Sequence, residues 1–198
     1  MPSPEGADVA GESPAPGFRH LGEELRFEGW RISVVDARFA APDGAVFHRD
    51  VVRHPGAVAV VPLTGRGTVL LVRQYRGAVD RWVLEIPAGT RDVEGEPAEV
   101  TAGRELEEEV GVRAGRIERL ATVLNTPGFC DEETVLFAAT DLTPVPTARH
   151  GHEEEHIEVV EVPLADVDAM VTGGELTDAQ TVLGLLLARA RLSALERD

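Results

Sequence analysis

The stretch of the sequence best suited to chemistry is an eight-residue run, RELEEEVG, from Arg104 to Gly111. Four of its residues are glutamates, whose charges repel one another wherever they lie close together. Residues three and four apart share a face of an α-helix, so Glu105, Glu108 and Glu109 should form one carboxylate patch, with Glu107 off it. Such a patch suits a hard divalent cation, Mg²⁺ or alternatively Mn²⁺. The competing interpretation is a solvated helix face, as for most charge runs.

A helix over 97–110 must carry these carboxylates. Pro97 suits its first turn, Gly111 suits its end, and Leu106 and Val110 give it an apolar stripe. Apolar and β-branched segments predict the remaining elements of a mixed α/β fold. These are a hairpin of strands 56–64 and 67–75, further strands at 81–89, 117–125, 133–140 and 156–162, and helices at 164–172 and 177–194.

Composition excludes several classes of partner. The formal net charge is -16 over 198 residues, which disfavours nucleic acid and anionic lipid. We expect no membrane span and no signal peptide, because the sequence shows neither apolar pattern. The single cysteine, Cys130, allows no internal disulfide and fits a cytoplasmic location.

Three regions follow one another along the chain. Residues 1–17 are rich in Pro, Gly, Ser and Ala and are predicted to be a disordered tail. Residues 18–56 hold β-branched runs around the turn signal Pro42-Asp43-Gly44 and predict a small antiparallel sheet. Residues 57–198 form the main domain.

The glutamate run lies in AGTRDVEGEPAEVTAGRELEEEVGV, residues 88–112, which resembles the Nudix box, GX5EX7REUXEEXGU, where U is a bulky aliphatic residue. One departure is that six residues, and not five, separate Gly89 from Glu96. The extra residue precedes the helix and leaves the spacing of its carboxylates unchanged. The resemblance implies a Nudix α/β/α sandwich with a mixed sheet, here with the small N-terminal antiparallel sheet added.

The resemblance also implies roles for the box residues. Glu105 and Glu109 would be the main metal ligands, and the backbone carbonyl of Ala88 would complete the metal shell. Glu108 would be a further ligand or would contact a bridging water. Arg104 would orient the glutamates through charge-assisted hydrogen bonds.

Two features outside the box resemble the ADP-ribose pyrophosphatase subfamily. They are RQYRGAVDRWVLEIPAG, residues 73–89, and Pro127, fifteen residues after Val112. The implied reaction is metal-dependent hydrolysis of ADP-ribose to AMP and ribose 5-phosphate. One alternative is another nucleoside diphosphate sugar, such as a GDP-sugar. A second is a module that binds ADP-ribose without cleaving it, but such modules usually lack one of the metal glutamates.

Substrate contacts follow from the same resemblance. Arg76 would contact the phosphates, with Arg73 a second contact or a plain strand-edge charge. Glu85 would contact substrate or water near the metal. Phe129 would pack on the terminal ribose or simply fill the core. In this subfamily the N-terminal sheet forms a homodimer, in which Trp30 or Phe47 would stack on the adenine, or Trp30 would belong to the dimer core.

The attacking water needs a general base, which the subfamily takes from an acidic loop before the last helices. Aligning Ile157 with the strand that follows this loop places Glu153 at the base position, with Glu154 and Glu155 as close rivals. The nearby histidines are interpreted as part of a solvated loop and not as metal ligands: His150, His152 and His156.

Overall fold

The computed structural model describes residues 17–147, 149 and 154–195, except for the side chains of residues 154 and 193–195. The predicted tail, apart from Gly17, lies outside these residues, and so does Glu153. The chain divides into two compact units. The first contains the residues up to His54 together with Gly128–Asp131, and the second contains Pro55–Pro127 and the residues from Glu132 onward.

The first unit is a three-stranded antiparallel sheet, which confirms the sheet predicted for residues 18–56. Its strands lie in the order β1-β2-β3: β1 (Arg19–Glu28), β2 (Ser33–Ala40) and β3 (Val46–Arg53). The loop Gly128–Asp131 adds to β3, because Val52 N donates to Phe129 O at 2.7 Å and forms a parallel bridge with Cys130. The Asp131 carboxylate accepts the backbone N–H of His54 at 2.8 Å.

The second unit contains two sheets, ordered β7-β4-β9-β8 and β10-β5-β6. Its strands are β4 (Ala57–Pro62), β5 (Thr68–Arg76), β6 (Arg81–Glu85), β7 (Ala88–Thr90), β8 (Val112–Leu124), β9 (Glu133–Pro144) and β10 (Glu158–Pro163). Its helices are α1 (Ala98–Glu105), a π-helical turn (Leu106–Val110), α2 (Val167–Thr172) and α3 (Ala179–Leu195). No helix in the described ranges has the length and hydropathy needed to cross a membrane.

Strand β4 sits between two helical layers, because its side chains alternate between two cores. Val58 and Val60 pack in one core with Leu106 of the π turn. Val61 packs in the other core with Leu185 of α3. Helices therefore cover both faces of the β4–β9 sheet, which is the α/β/α arrangement that the sequence predicted.

The predicted hairpin of 56–64 and 67–75 is wrong. Strand β4 pairs with β7 and, in parallel, with β9, whereas β5 pairs with β6 and β10. Only a single bridge, Leu63 to Val69, joins the two segments. All six residues of β4 are buried, so both of its edges and both of its faces need partners from elsewhere in the chain.

Candidate active site

The carboxylate helix begins as α1 and ends in the π turn Leu106–Val110, after which Gly111 adopts a left-handed φ of 74°. Its predicted extent is therefore correct, but its last turn is wider than an α-helical one. Leu106 is fully buried and anchors the turn, while Glu105 and Glu109 are 7% and 4% exposed. Single π turns of this kind occur frequently at functional sites.

The backbone of β7 lies directly against these two carboxylates. A Cβ atom on Gly89 would stand 2.1 Å from the carboxyl carbon of Glu105, so only glycine leaves room for that side chain. The N–H of Ala88, one residue earlier, donates to Glu109 Oε2 at 3.2 Å. The backbone at Ala88 and Gly89 therefore accommodates the side chains of both buried glutamates.

Arg104 is the cation shared by the acidic groups around α1. Its Nη1 lies 3.1 Å from Glu105 Oε1 and 3.3 Å from Glu108 Oε2. Its Nη2 lies 3.7 Å from Glu96 and 3.8 Å from Asp92, and among the described residues this buried atom has no hydrogen-bond acceptor. Burial lowers the pKa of Arg104, but the surrounding carboxylates outweigh burial and raise it above its ordinary value.

The loop between β7 and α1 absorbs the extra residue in a turn. Glu96 N donates to Val93 O at 3.2 Å, and Gly95 supplies the positive φ of 77° that the turn requires. The Glu96 side chain then accepts the hydroxyl of buried Thr101 at 2.7 Å, which ties the loop to α1. Gly89 still meets Glu105, so the longer loop keeps both ends in register.

Glu107 points away from the other glutamates, as its spacing predicted. It accepts Arg113 Nε at 2.7 Å. That hydrogen bond lowers the pKa of Glu107 below its ordinary value.

The chemistry of the donors fits a hard divalent cation. Glu105, Glu108 and Glu109 offer oxygen ligands only, and the space beside Gly89 is what allows Glu105 to reach the loop. Within the described residues, no three Asp, Glu, His or Cys side chains are grouped as a preformed metal site. Arg104 and the N–H of Ala88 bind oxygens of these carboxylates instead.

A second cluster lies where β5 and β6 pair. Arg76 donates to Glu85 through Nε at 2.9 Å and Nη2 at 2.7 Å, and Gln74 Nε2 donates to the same Oε2 atom at 3.1 Å. Burial lowers the pKa of Arg76, but the hydrogen bond to Glu85 and the charges of Glu85 and Glu109 raise it above its ordinary value.

Of the other expected substrate residues, Arg73 lies in the second unit, and Trp30 and Phe129 lie in the first. Arg73 is exposed and, by strand alternation, lies on the face of β5 opposite to Arg76. Trp30, 91% exposed, lies between β1 and β2 in the first unit, with the Arg31 guanidinium 4.7 Å from its ring. Phe129 also belongs to that unit, and its side chain is exposed.

The base candidates are only partly described. Glu153 lies outside the described residues, as do His150 and His152, and only the backbone of Glu154 is described. Glu155 is exposed in the short 3₁₀ turn Glu154–His156.

Sequence reasoning missed Arg149. Its Nη2 donates to the backbone carbonyl of Glu109 at 2.8 Å, and its Nη1 donates to that of Ile157 at 2.7 Å. A helix end leaves backbone carbonyls unsatisfied and attracts cations, so the Arg149 guanidinium meets a general need of this helix end. Nothing in the spacing of the sequence indicated that an arginine forty residues after Glu109 would bind its carbonyl.

Comparison with known proteins places these clusters in context. The model of the NUDIX domain matches residues 53–182. An ADP-ribose pyrophosphatase of Bacillus subtilis (strain 168) is 37% identical over 165 residues, covering 83% of this chain and 89% of the relative. One of Mycobacterium tuberculosis (strain ATCC 25618 / H37Rv) is 38% identical over 173 residues, covering 87% and 84%.

A solved structure shares the fold. The crystal structure of an ADP compounds hydrolase superposes with a TM-score of 0.80 at 23% identity, covering 94% of this chain and all of the other.

Proposed function

The chain belongs to the Nudix family, and we propose that it hydrolyses the pyrophosphate of ADP-ribose with a divalent cation, Mg²⁺ or alternatively Mn²⁺. Oxygen from water adds to one phosphorus, and the bridging P–O bond breaks, which gives AMP and ribose 5-phosphate. The observation that carries this proposal is the burial of Glu105 and Glu109 against the backbone of Ala88 and Gly89. The glutamates at the Nudix-box positions are thereby held in an arrangement that could bind cations.

The metal ligands in this proposal are Glu105 and Glu109, with Glu108 and the Ala88 carbonyl as further ligands. A bound divalent cation supplies neutralisation of the pyrophosphate charge and makes water a better nucleophile. Arg104 fixes the side chains of Glu105 and Glu108 through its contacts with both carboxylates.

The substrate phosphates bind Arg76, whose orientation is set by Glu85. Arg73 is a second, more distant candidate because it lies on the other face of β5. Proton removal from the attacking water is assigned to Glu153, with Glu154 and Glu155 as its rivals. Cations nearby would keep such a carboxylate ionised at neutral pH.

The first unit supplies the proposed dimer interface. It exposes several large apolar side chains, more than a monomer of this size needs on one small sheet. They are Phe18, Leu25, Phe27, Trp30 and Val46. In a homodimer Trp30 would stack on adenine or lie in the interface, and Phe129 would contact the terminal ribose. Size-exclusion chromatography with light scattering tests the dimer, and a monomer at micromolar concentration contradicts it. We also propose a cytoplasmic location.

A substrate panel tests the reaction. Purified protein is incubated with ADP-ribose, GDP-mannose and other nucleoside diphosphate sugars, each with Mg²⁺ or Mn²⁺, and nucleoside monophosphate is measured. We expect AMP from ADP-ribose at the highest kcat/KM. A higher value for GDP-mannose would move the specificity to GDP-sugars, and no turnover of any substrate would remove the enzymatic proposal. Tight ADP-ribose binding without turnover would leave the non-catalytic binding module.

A further inference from the structure

One face of β5 connects the buried core to the second cluster. Val72 on this face packs in the same core as Leu106 and Val110 of the π turn. Side chains two apart on a strand share a face, so Gln74 and Arg76 continue this line beyond the core. The strand therefore presents both side chains on the face that packs on the carboxylate helix.

Glu85 is the hub of this cluster. Its Oε2 atom accepts from Arg76 Nη2, Arg76 Nε and Gln74 Nε2 at 2.7, 2.9 and 3.1 Å. Gln74 and Glu85 are 4% and 6% exposed. A buried carboxylate that loses a donor is left with its own desolvation penalty uncompensated, so this arrangement resists rotation of Glu85.

We infer that Gln74 is a positioning residue, which fixes Glu85 so that Arg76 is held side-on and cannot swing onto the metal-binding carboxylate of Glu109. This inference rests on the proposed function. Arg76 engages Glu85 through its Nε and Nη2 atoms. The edge formed by Nη1 and Nη2 is the one that can bind a phosphate in a bidentate manner.

The restraint matters because Arg76 is a long cation close to a group of anions. Arg76 lies on the face of β5 that packs against the turn carrying Glu109, and the charge of Glu109 contributes to raising the pKa of Arg76. If Arg76 paired with Glu109, the pair would remove a phosphate contact and occupy a metal ligand at once. Gln74 opposes this change of partner, because its hydrogen bond holds Glu85 in the position that pairs with Arg76.

The residue type supports the role. A glutamine amide donates a hydrogen bond to Glu85 without adding charge. A lysine or arginine at position 74 would compete with Arg76 for Glu85, and a carboxylate would repel Glu85. Only a neutral donor of this length completes the cluster without changing its charge.

The first test compares Gln74→Met with Gln180→Met. Gln180 is the only other glutamine in the sequence, and its Nε2 donates to Thr134 Oγ1 at 3.2 Å and not to Glu85. For Gln74→Met we expect KM for ADP-ribose to rise about tenfold, with kcat within about threefold of the wild type, because a ground-state phosphate contact is weakened. Gln180→Met should leave KM unchanged. An unchanged KM in Gln74→Met overturns the inference.

The second test asks whether Gln74 acts through Glu85. In a Glu85→Gln background, adding Gln74→Met should raise KM by less than about twofold, since the group that Gln74 positions is already altered. Full additivity of the two KM effects overturns the inference. A role in folding alone would instead lower Tm and the active fraction without changing KM.

A third measurement uses no substrate. Titration with Mn²⁺ alone should give an apparent Kd about threefold weaker for Gln74→Met than for Gln180→Met, because a released Arg76 competes for Glu109. Equal Kd values overturn the inference. If the wild type hydrolyses no sugar nucleotide, the proposed function fails, and this titration still decides the role of Gln74.

Discussion

The two units of the molecule handle acidic side chains differently. Among the described residues of the first unit, seven acidic side chains accompany six arginines. Asp36 accepts Arg26 at 2.8 Å and pairs with His48 at 2.7 Å, and the hydrogen bonds from Arg26 and His48 lower its pKa. Arg53 is shared by just two carboxylates, those of Glu23 and Asp131. Charge there is compensated within the protein.

Around α1 in the second unit, the acids outnumber the bases. Arg104 is shared by four carboxylates, those of Asp92, Glu96, Glu105 and Glu108. Acidic side chains alone therefore do not indicate a cation site in this protein. Several carboxylates gathered around one arginine favour such a site, because a bound cation can supply additional positive charge.

Among the variants that test this difference between the two units, Glu109→Gln is expected to have the largest effect on activity. The change keeps the shape of the side chain and the hydrogen bond from Ala88 but removes a charged metal ligand. We expect turnover of ADP-ribose to fall about 1,000-fold, since metal ions contribute several kcal/mol to such reactions. Steady-state kinetics at saturating Mg²⁺ measure it, with circular dichroism as the folding check.

Glu107→Gln is the matched control for that variant. Glu107 lies two residues earlier and pairs with Arg113 at the surface, so its activity should stay within about twofold of the wild type. Surviving activity in Glu109→Gln, or equal losses in both variants, would show that the ligand assignment is wrong.

The next largest effect is expected from Gly89→Ala. The added Cβ would overlap the Glu105 carboxylate, so that side chain must move. A displacement of about 1 Å at a catalytic group costs on the order of 100-fold in rate. Gly103→Ala in α1 is the control, because its Cβ meets only Ile117 at 3.6 Å and alanine favours helices. Comparable activity of the two variants contradicts the proposed seat for Glu105.

Arg104→Met tests the charge argument directly. Without divalent cation, Tm should fall by about 5 °C, because the carboxylates lose their shared partner. Saturating Mg²⁺ should recover most of that loss. Arg113→Met, which removes a base from an exposed pair, should change Tm by at most about 1 °C with or without Mg²⁺. A Tm loss in Arg104→Met that Mg²⁺ does not reduce would contradict the assignment of a cation site to the carboxylates around Arg104.

The smallest effect concerns the matched charges of the first unit. The hydrogen bond from Arg53 lowers the pKa of Glu23 in the folded protein. The stabilisation is therefore complete above the unfolded pKa, near 4.5, and is lost as the pH falls through the folded pKa. We expect Arg53→Gln to lose about 0.5 kcal/mol of unfolding free energy at pH 7 and less at pH 3, measured by urea denaturation. A loss that grows at pH 3 contradicts this assignment.

The carboxylate site was predictable because it depends on short-range geometry. Helical periodicity alone separated Glu107 from Glu105, Glu108 and Glu109, and the resemblance to the Nudix box identified Gly89 and Arg104. The π turn was not predictable, since its bonding pattern leaves no distinct spacing in the sequence. It still kept the buried pair, Glu105 and Glu109, on one side.

Contacts between residues far apart in the sequence were not predicted, for a different reason. Two consecutive apolar segments indicate a hairpin, but β4 pairs with β9, which follows much later in the chain. The role of Arg149 depends on the same kind of distant contact, with the carbonyl of Glu109. For the second cluster, the sequence singled out Arg76 and Glu85 as substrate contacts, which stays a prediction, but it indicated neither their ion pair nor the hydrogen bond from Gln74 to Glu85.

The pairing of Gly128–Asp131 with β3 limits how this protein can be divided. Although most of the first unit precedes Pro55, one of its edges is supplied by residues far later in the sequence. A shortened protein that starts at Pro55 would leave Phe129, Cys130 and Asp131 without the backbone partners that Val52 and His54 provide. The boundary between the units is therefore not a suitable point of division, because separating the two halves would leave the backbone groups of Val52 and His54 without these partners.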